Sequence, residues 1–200
     1  MTEIMESTER DSSQQQKIGI DLGFTEAERR ELLKIARDAI AGKTRGERGL
    51  SRLVTSERLR KPGAAFVSLY KKGMLRGHMG VTVSQEPLDK TVEKMAQAAA
   101  SCDPRFIPLR PEEIPYIEVE ISVLTPLQRI THPDEIEVGR HGILVTKHQR
   151  SGILLPQVAV ERGWDRIRFL KETCRKAGLS EDAWQDEDTE VHVFSADVFS

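Results

Sequence analysis

Polar and apolar residues alternate most regularly between positions 117 and 123. Every second residue there is apolar, and the apolar set is Ile117, Val119, Ile121 and Val123. Because successive side chains of a β-strand point to opposite faces, this period predicts a strand with one buried face. Glu118 and Glu120 are then expected to face water or a cleft, as on an antiparallel strand with one solvated side.

Helices are predicted where capping residues precede apolar positions at helical spacing. Thr25 and Glu28 have the spacing of a capping box, and one apolar stripe follows them: Leu32, Leu33, Ile35, Ala36, Ala39 and Ile40. Gly42 is expected to end this helix. Pro87 is expected to open a second helix, whose apolar face comprises Leu88, Val92, Met95, Ala96 and Ala99. Asp165 can cap a third helix.

The remaining apolar segments are short and are separated by turns, which is typical of β-hairpins. Ala65–Tyr70 and Met74–Met79 flank a tight turn, and Ile143–Lys147 and Ile153–Leu155 flank a polar connection. Glu190–Phe199 is predicted to be a closing strand. Hairpins interleaved with a few helices indicate an α+β fold, with an antiparallel sheet and flanking helices, rather than a doubly wound sheet.

Composition excludes several classes of partner. The net charge is -2 with both signs mixed along the chain, so we expect neither a nucleic-acid surface nor a polybasic membrane patch. No apolar stretch approaches the ~20 residues that span a bilayer. Two cysteines suit a reducing compartment, and a cytoplasmic location is expected. The polar segment Met1–Lys17 is predicted to be a disordered tail, followed by one domain over residues 18–200.

A set of short strings, taken in order, resembles the AMMECR domain family, whose bacterial and archaeal members are called AmmeMemoRadiSam system protein A. The resemblance extends from about Phe24 to Phe199. The strings are Leu75 to Gly80, Asp103 to Phe106, Val138 to Gly142, Leu154 to Ala159, Gly163-Trp164 and Cys174 to Leu179.

The resemblance implies a two-part α+β fold. The N- and C-terminal segments share the larger, antiparallel-sheet part, and a smaller α/β part packs beside it. It also implies neighbouring genes for a Memo-like protein and a radical-SAM enzyme, which would be the partners. It brings no established activity.

The segment Arg76-Gly77-His78-Met79-Gly80 is the family's hallmark, with one departure: His78 stands where the family usually has cysteine. A thiol mechanism therefore cannot be carried over to this position. Arg76 and His78 are our candidate catalytic residues, because a guanidinium can bind an anion and an imidazole can transfer protons near neutral pH. Gly77 and Gly80 could let a ligand approach the backbone closely, or they could serve only a bulge.

Residues two apart on a strand share a face, so Arg76 and His78 should point the same way. Either these side chains pair with carboxylates, or they turn into a solvent-filled cleft between the two parts of the molecule; we favour the cleft. His141 and Gln157 are expected to line it too. Gln157 lies in an apolar run, where a buried amide must find partners.

Other chemistry has little support in the sequence. Five histidines and two cysteines form no close ligand pair, so no metal site is predicted, although ligands could still assemble in space. Phosphate-binding loops, dinucleotide motifs and the G-x-S-x-G elbow are absent from the sequence, and no cofactor is identified. Two functions remain open: a small-molecule-binding or catalytic component acting with the two implied partners, or a non-catalytic adaptor that holds them.

Deleting Met1–Lys17 should leave the melting temperature unchanged, because this segment has almost no apolar area to offset the entropy cost of ordering it. Differential scanning calorimetry of the full chain and the truncated chain measures this directly. A drop of several degrees in the truncated chain would contradict the prediction.

Overall fold

The computed structural model describes residues 18–47 and 54–200, so the predicted tail Met1–Lys17 lies outside the described residues. The helices are α1 (Glu26–Thr44), α2 (Leu88–Ser101), α3 (Pro156–Glu161) and α4 (Arg166–Lys176). The strands are β1 (Ala65–Lys71), β2 (Met74–Gly80), β3 (Ile117–Leu124), β4 (Gln128–Ile130), β5 (His141–Lys147), β6 (Arg150–Leu154) and β7 (Thr189–Phe199). Short 3-10 helices lie at Pro111–Tyr116, Pro133–Glu135 and Ala183–Gln185.

All the described strands belong to one curled antiparallel sheet. Its order is β2-β1-β3-β7-β5-β6, and β4 pairs additionally with β7. Strand β7 is the longest, and its two ends have different neighbours: residues 196–199 pair with β3, whereas residues 189–195 pair with β5. The predicted α+β class, an antiparallel sheet with flanking helices, is confirmed.

Three clusters of apolar side chains hold the sheet and helices together. The first lies between helices α1 and α2 and strands β1 and β3. The second joins α4 to β5 and β7. A smaller third cluster connects the two halves of the sheet, and its buried members are Phe66, Leu124, Leu155, Phe194 and Ala196.

Local sequence patterns account for most elements. On β3, Val119, Ile121 and Val123 are buried in the first cluster, while Glu118 is exposed and Glu120 is half-buried on the opposite face; the predicted alternation is confirmed. The capping box of α1 is also confirmed, since the Thr25 hydroxyl accepts from the Glu28 amide at 3.2 Å.

One helix boundary differs from the predictions, and one helix was not predicted. Helix α1 continues two residues beyond Gly42, to Thr44, so the expected stop at Gly42 is wrong. Helix α3 has no counterpart among the predicted elements; Pro156 begins it and Gln157 lies in its first turn. Proline suits the first helical position, since its missing N–H would have no helical partner there.

Replacing Gly77 by alanine should destabilise the fold by about 2 kcal/mol or more, because the new Cβ would overlap the backbone oxygen of Ala99 in α2 and neither backbone can yield. Urea denaturation gives the free energy of unfolding. Gly42→Ala is the matched control: its new Cβ would make only ordinary van der Waals contact with the Glu47 side chain, and it should be neutral or stabilising within a helix. Equal stabilities of the two variants would show that the β2–α2 contact is not tight.

Candidate functional site

A row of polar side chains crosses the face of the sheet that points away from α2. His78 on β2 pairs in register with Ser68 on β1, and Ser68 pairs with Glu120 on β3. Neighbouring strands lie about 4.8 Å apart, so the row is about 10 Å wide, the size of a small metabolite. The Ser68 hydroxyl and His78 Nδ1 are hydrogen bonded at 3.0 Å, and Ser68 is only 3% exposed.

An aromatic contact fixes the His78 ring. Phe66 stacks on it, with ring centroids 5.1 Å apart and an interplanar angle of 17°. Phe66 can lie there because its register partner is Gly80, where any Cβ would overlap the phenyl ring. Gly80 therefore positions the aromatic ring beside His78.

Asp103 anchors the backbone of the same strand. Its Oδ2 accepts the His78 amide at 2.9 Å, and the Arg105 guanidinium donates to both carboxylate oxygens, from Nε at 2.9 Å and from Nη2 at 2.7 Å. Hydrogen bonding from Arg105 is the main reason that the pKa of Asp103 falls to about 2. Neither residue was predicted as a site residue, although both belong to one of the strings that resemble the family.

Burial makes His78 a neutral imidazole. Its pKa falls to about 4, first because the ring is desolvated and then because the positive charges of Lys176 and Arg105 lie nearby. At neutral pH one ring nitrogen is therefore a donor and the other an acceptor, and the Ser68 contact occupies Nδ1 in either tautomer. His78 can hydrogen bond a ligand through Nε2 without adding charge.

Gln157 reaches the same row from the other half of the molecule. Its Nε2 donates to Glu120 Oε1 and to Ser122 Oγ, both at 3.3 Å. Its Oε1 is buried and has no hydrogen-bond partner among the described residues, and the residue is 7% exposed. Burial raises the pKa of Glu120, which favours the protonated carboxyl more than in water.

Tyr70 extends the row along β1. Burial, followed by the negative charge of Glu120, raises the pKa of the Tyr70 hydroxyl, so the phenol is a neutral hydrogen-bonding group. We call the following set the polar cluster: Ser68, Tyr70, His78, Glu120, Ser122 and Gln157. It combines side chains from β1, β2, β3 and α3.

Arg76 does not join the polar cluster. Its guanidinium donates to Glu113 from Nε at 3.2 Å and Nη2 at 3.0 Å, and from Nη1 to the Ile107 carbonyl at 3.0 Å. Hydrogen bonds from Arg76 and then Lys71 lower the pKa of Glu113 to about 2. Of the two arrangements considered for Arg76, the structure has the carboxylate pair.

Two further candidates also lie outside the polar cluster. Gly77 is buried against α2 on the opposite face of the sheet, so the expectation that it lines a cleft is corrected. His141 begins β5 and its Nδ1 accepts the Glu137 amide at 3.2 Å. The next residue, Gly142, packs on Phe194 in the third cluster, so His141 points away from that side. Of the six candidates, the structure brings together His78, Gly80 and Gln157.

Arg76 and Arg105 instead line an open groove of about 1010 Å³, which has no residue of the polar cluster in its lining. The other cationic residues of this groove are Lys71, Lys72 and Arg110. Within residues 18–47 and 54–200, no group of three histidine, cysteine or acidic side chains is arranged to hold a metal ion. No helix in the same ranges has the length and apolar character needed to cross a bilayer.

Stability should fall between pH 6.5 and pH 4 because of His78. The unfolded residue takes up a proton near its ordinary pKa of 6.5 and the folded one near 4, so in that window the unfolded state binds more protons. The contribution of His78 amounts to about 3 kcal/mol by the end of the window. Denaturation of the wild type and of His78→Gln at several pH values measures it.

The contribution of His78 is the difference in free energy of unfolding between wild type and His78→Gln at each pH. The difference is needed because burial also lowers the pKa of His141, which makes both proteins less stable as the pH falls. Parallel stability curves for wild type and His78→Gln would mean that His78 is not a desolvated neutral ring.

Comparison with known proteins agrees with this architecture. The AMMECR1 family model matches residues 33–199. Protein MK0488 of Methanopyrus kandleri is 41% identical over 177 residues, covering 84% of this chain and 86% of the relative, and Protein PF1979 of Pyrococcus furiosus is 44% identical over 180 residues, covering 84% and 85%. The crystal structure of Uncharacterized Protein PH0010 from Pyrococcus horikoshii superposes with a TM-score of 0.81 at 40% identity, covering 84% of this chain and 88% of that one. The chain belongs to the AMMECR1 family.

Proposed function

We propose that this protein binds a small polar molecule at the polar cluster. The observation that carries the proposal is the Gln157 carbonyl oxygen, which is buried beside Glu120 and has no partner among the described residues. A buried acceptor without a hydrogen bond costs about 1–3 kcal/mol, so a protein rarely retains one without a reason. A ligand with an N–H or O–H group would satisfy it.

The titratable groups around Gln157 support the same proposal. Burial is the main cause of the pKa shifts of Tyr70, His78 and Glu120, and each shift favours the neutral form. Perturbed titratable groups that converge on one site are more frequent at functional sites than elsewhere. These side chains come from three adjacent strands, and they meet Gln157 from a helix of the other half.

The chemistry available to the cluster is hydrogen bonding and proton transfer. A neutral His78 can accept a proton from a ligand, and a protonated Glu120 can donate one. Ser68 is poorly placed as a nucleophile because it is almost fully buried, and its contact with Nδ1 orients the imidazole instead. Arg76, already bound to Glu113, acts by holding the Pro111–Tyr116 segment against β2.

The family resemblance supplies the setting for this proposal. The protein acts together with a Memo-like protein and a radical-SAM enzyme, and it binds the small molecule that one of them makes or consumes. It contributes binding, proton transfer or both.

A second candidate, an adaptor that only holds those partners, has one observation in its favour. Three large apolar side chains are largely exposed near the groove or at the end of β2: Met74 is 70% exposed, Ile107 67% and Tyr116 64%. Exposed apolar groups that lie close together can form a protein interface. Ile107 and Tyr116 both line the groove, while Met74 begins the edge strand β2.

Gln157→Met should abolish retention of the small molecule. The free energy of unfolding should change by no more than about 1 kcal/mol, because the substitution removes two long hydrogen bonds together with an unsatisfied oxygen. The measurement is mass spectrometry of metabolites that the purified protein retains from a cell extract, with and without the two partner proteins. Gln149→Met, at an exposed turn, is the matched control and should retain the molecule.

Retention by Gln157→Met at the level of the control would overturn the proposal. The adaptor function would be supported if the wild type retains no metabolite and if Tyr116→Glu no longer co-purifies with either partner.

A further inference from the structure

The side of the polar cluster where Gln157 meets Glu120 presents free hydrogen-bond acceptors and no free donor of the Gln157 amide. Gln157 Nε2 has two N–H groups, and it donates to Glu120 Oε1 and to Ser122 Oγ. Gln157 Oε1 is buried without a partner among residues 18–47 and 54–200, and the residue is only 7% exposed. The same ranges supply no second hydrogen bond to the Glu120 carboxylate. A group that binds here must bring donors of its own.

Helix α3 places a second carboxylate on this side of the cluster. Glu161 follows Gln157 by four residues, and side chains four apart lie on one helical face with Cβ atoms about 5–6 Å apart. The helical geometry holds up to Glu161, since the next amide, that of Arg162, still donates to the Val158 carbonyl. Because Gln157 contacts Glu120, this face of α3 is turned towards β3, and Glu161 lies at its exposed end.

The electrostatic effects agree with this placement of Glu161. Burial raises the pKa of Glu120, and the negative charge of Glu161 raises it further. Burial, then Glu120 and then Glu161 raise the pKa of Tyr70, whose side chain shares the sheet face of Glu120. In the described part of the chain, no cationic side chain forms an ion pair with Glu120 or Glu161. Two carboxylates therefore approach one buried carbonyl oxygen without a positive charge between them.

We infer that Gln157, Glu120 and Glu161 bind a primary ammonium group of the molecule held at the polar cluster, and we call this set the ammonium site. The inference rests on the proposed function and specifies its ligand as an amine. An ammonium group has three N–H donors and a positive charge, which match one carbonyl oxygen and two carboxylates. Its charge also stabilises the ionised form of Glu120, so burial favours the protonated carboxyl only in the absence of a cation.

Two other occupants match these groups less well. A neutral hydroxyl or amide would satisfy Gln157 Oε1 but would leave the two carboxylates without a counter-charge. A calcium ion takes six to eight oxygen ligands and a magnesium ion demands near-octahedral geometry. Among the residues that the structure describes, no group of three acidic, histidine or cysteine side chains is arranged to hold either ion.

Methylammonium chloride is the probe, titrated at constant ionic strength against tetramethylammonium chloride, which carries the same charge but no N–H donor. In the wild type, methylammonium should shift the NMR signals of the Gln157 side-chain amide and saturate, whereas tetramethylammonium should not. Glu120→Gln should weaken methylammonium binding by about tenfold or more, because it removes a charged acceptor yet keeps an oxygen for Gln157 Nε2.

Glu161→Gln should weaken methylammonium binding by about threefold, a smaller effect because water screens an exposed carboxylate. Glu187→Gln, an equal change of charge at an exposed position before β7, is the matched control and should bind like the wild type.

The same variants test the position of Glu161 without any probe. Glu161→Gln should lower the pKa of Glu120, because it removes the neighbouring negative charge, and Glu187→Gln should leave that pKa unchanged. NMR titration of the side-chain carboxyl carbons measures it.

The ammonium site would be overturned if methylammonium does not saturate in the wild type, or if wild type, Glu120→Gln and Glu187→Gln bind it equally. Saturation by Mg²⁺ or Ca²⁺ at a lower concentration than methylammonium would overturn it in favour of a metal ion. If the wild type retains a metabolite that Gln157→Met loses, and that metabolite has no amine nitrogen, the proposed function stands and only the ammonium site fails. An amine that Gln157→Met and Glu120→Gln both lose, and Glu187→Gln retains, would support both.

Discussion

The sharing of β7 between the two halves of the sheet is the constraint on which the rest of the structure depends. Its residues 196–199 pair with β3, and its residues 189–195 pair with β5. One continuous strand therefore fixes the orientation of the β5–β6 hairpin, and of the helices that follow it, relative to β1, β2 and β3. Without that strand, the position of Gln157 next to Glu120 would not be fixed.

The two glycines of the hallmark segment stand where another group comes so close to β2 that a Cβ would not fit. They are three residues apart on β2 and serve opposite faces of the sheet. Gly77 allows the α2 backbone to approach, while Gly80 admits the Phe66 ring that stacks on His78. A glycine-rich segment thus has a packing role on one face and a positioning role on the other, and His78 lies between the two.

Burial is the main cause of the pKa shifts at the candidate site. Burial favours the neutral forms of Tyr70, His78 and Glu120 and so reduces the charge at the centre of the polar cluster. The Asp103–Arg105 ion pair lies beside the backbone of His78, at the edge of the cluster.

The sequence by itself determined the family, the α+β class, the β1–β2 hairpin, the alternation of β3 and the helix caps. These features depend on spacing within a few residues, on backbone geometry, or on strings that the family shares. His78, Gly80 and Gln157 were also reached from the sequence, through the resemblance. Only the tertiary structure decided that Arg76 pairs with Glu113, that Gly77 faces α2, and that His141 points away from the cluster. The same is true of the role of Asp103, which binds the His78 amide. The contacts of Arg76, Gly77 and Asp103 each join residues that are more than twenty positions apart. Local periodicity predicts the face of a strand or helix on which a side chain lies. The residue that it contacts there depends on how elements distant in the sequence pack together.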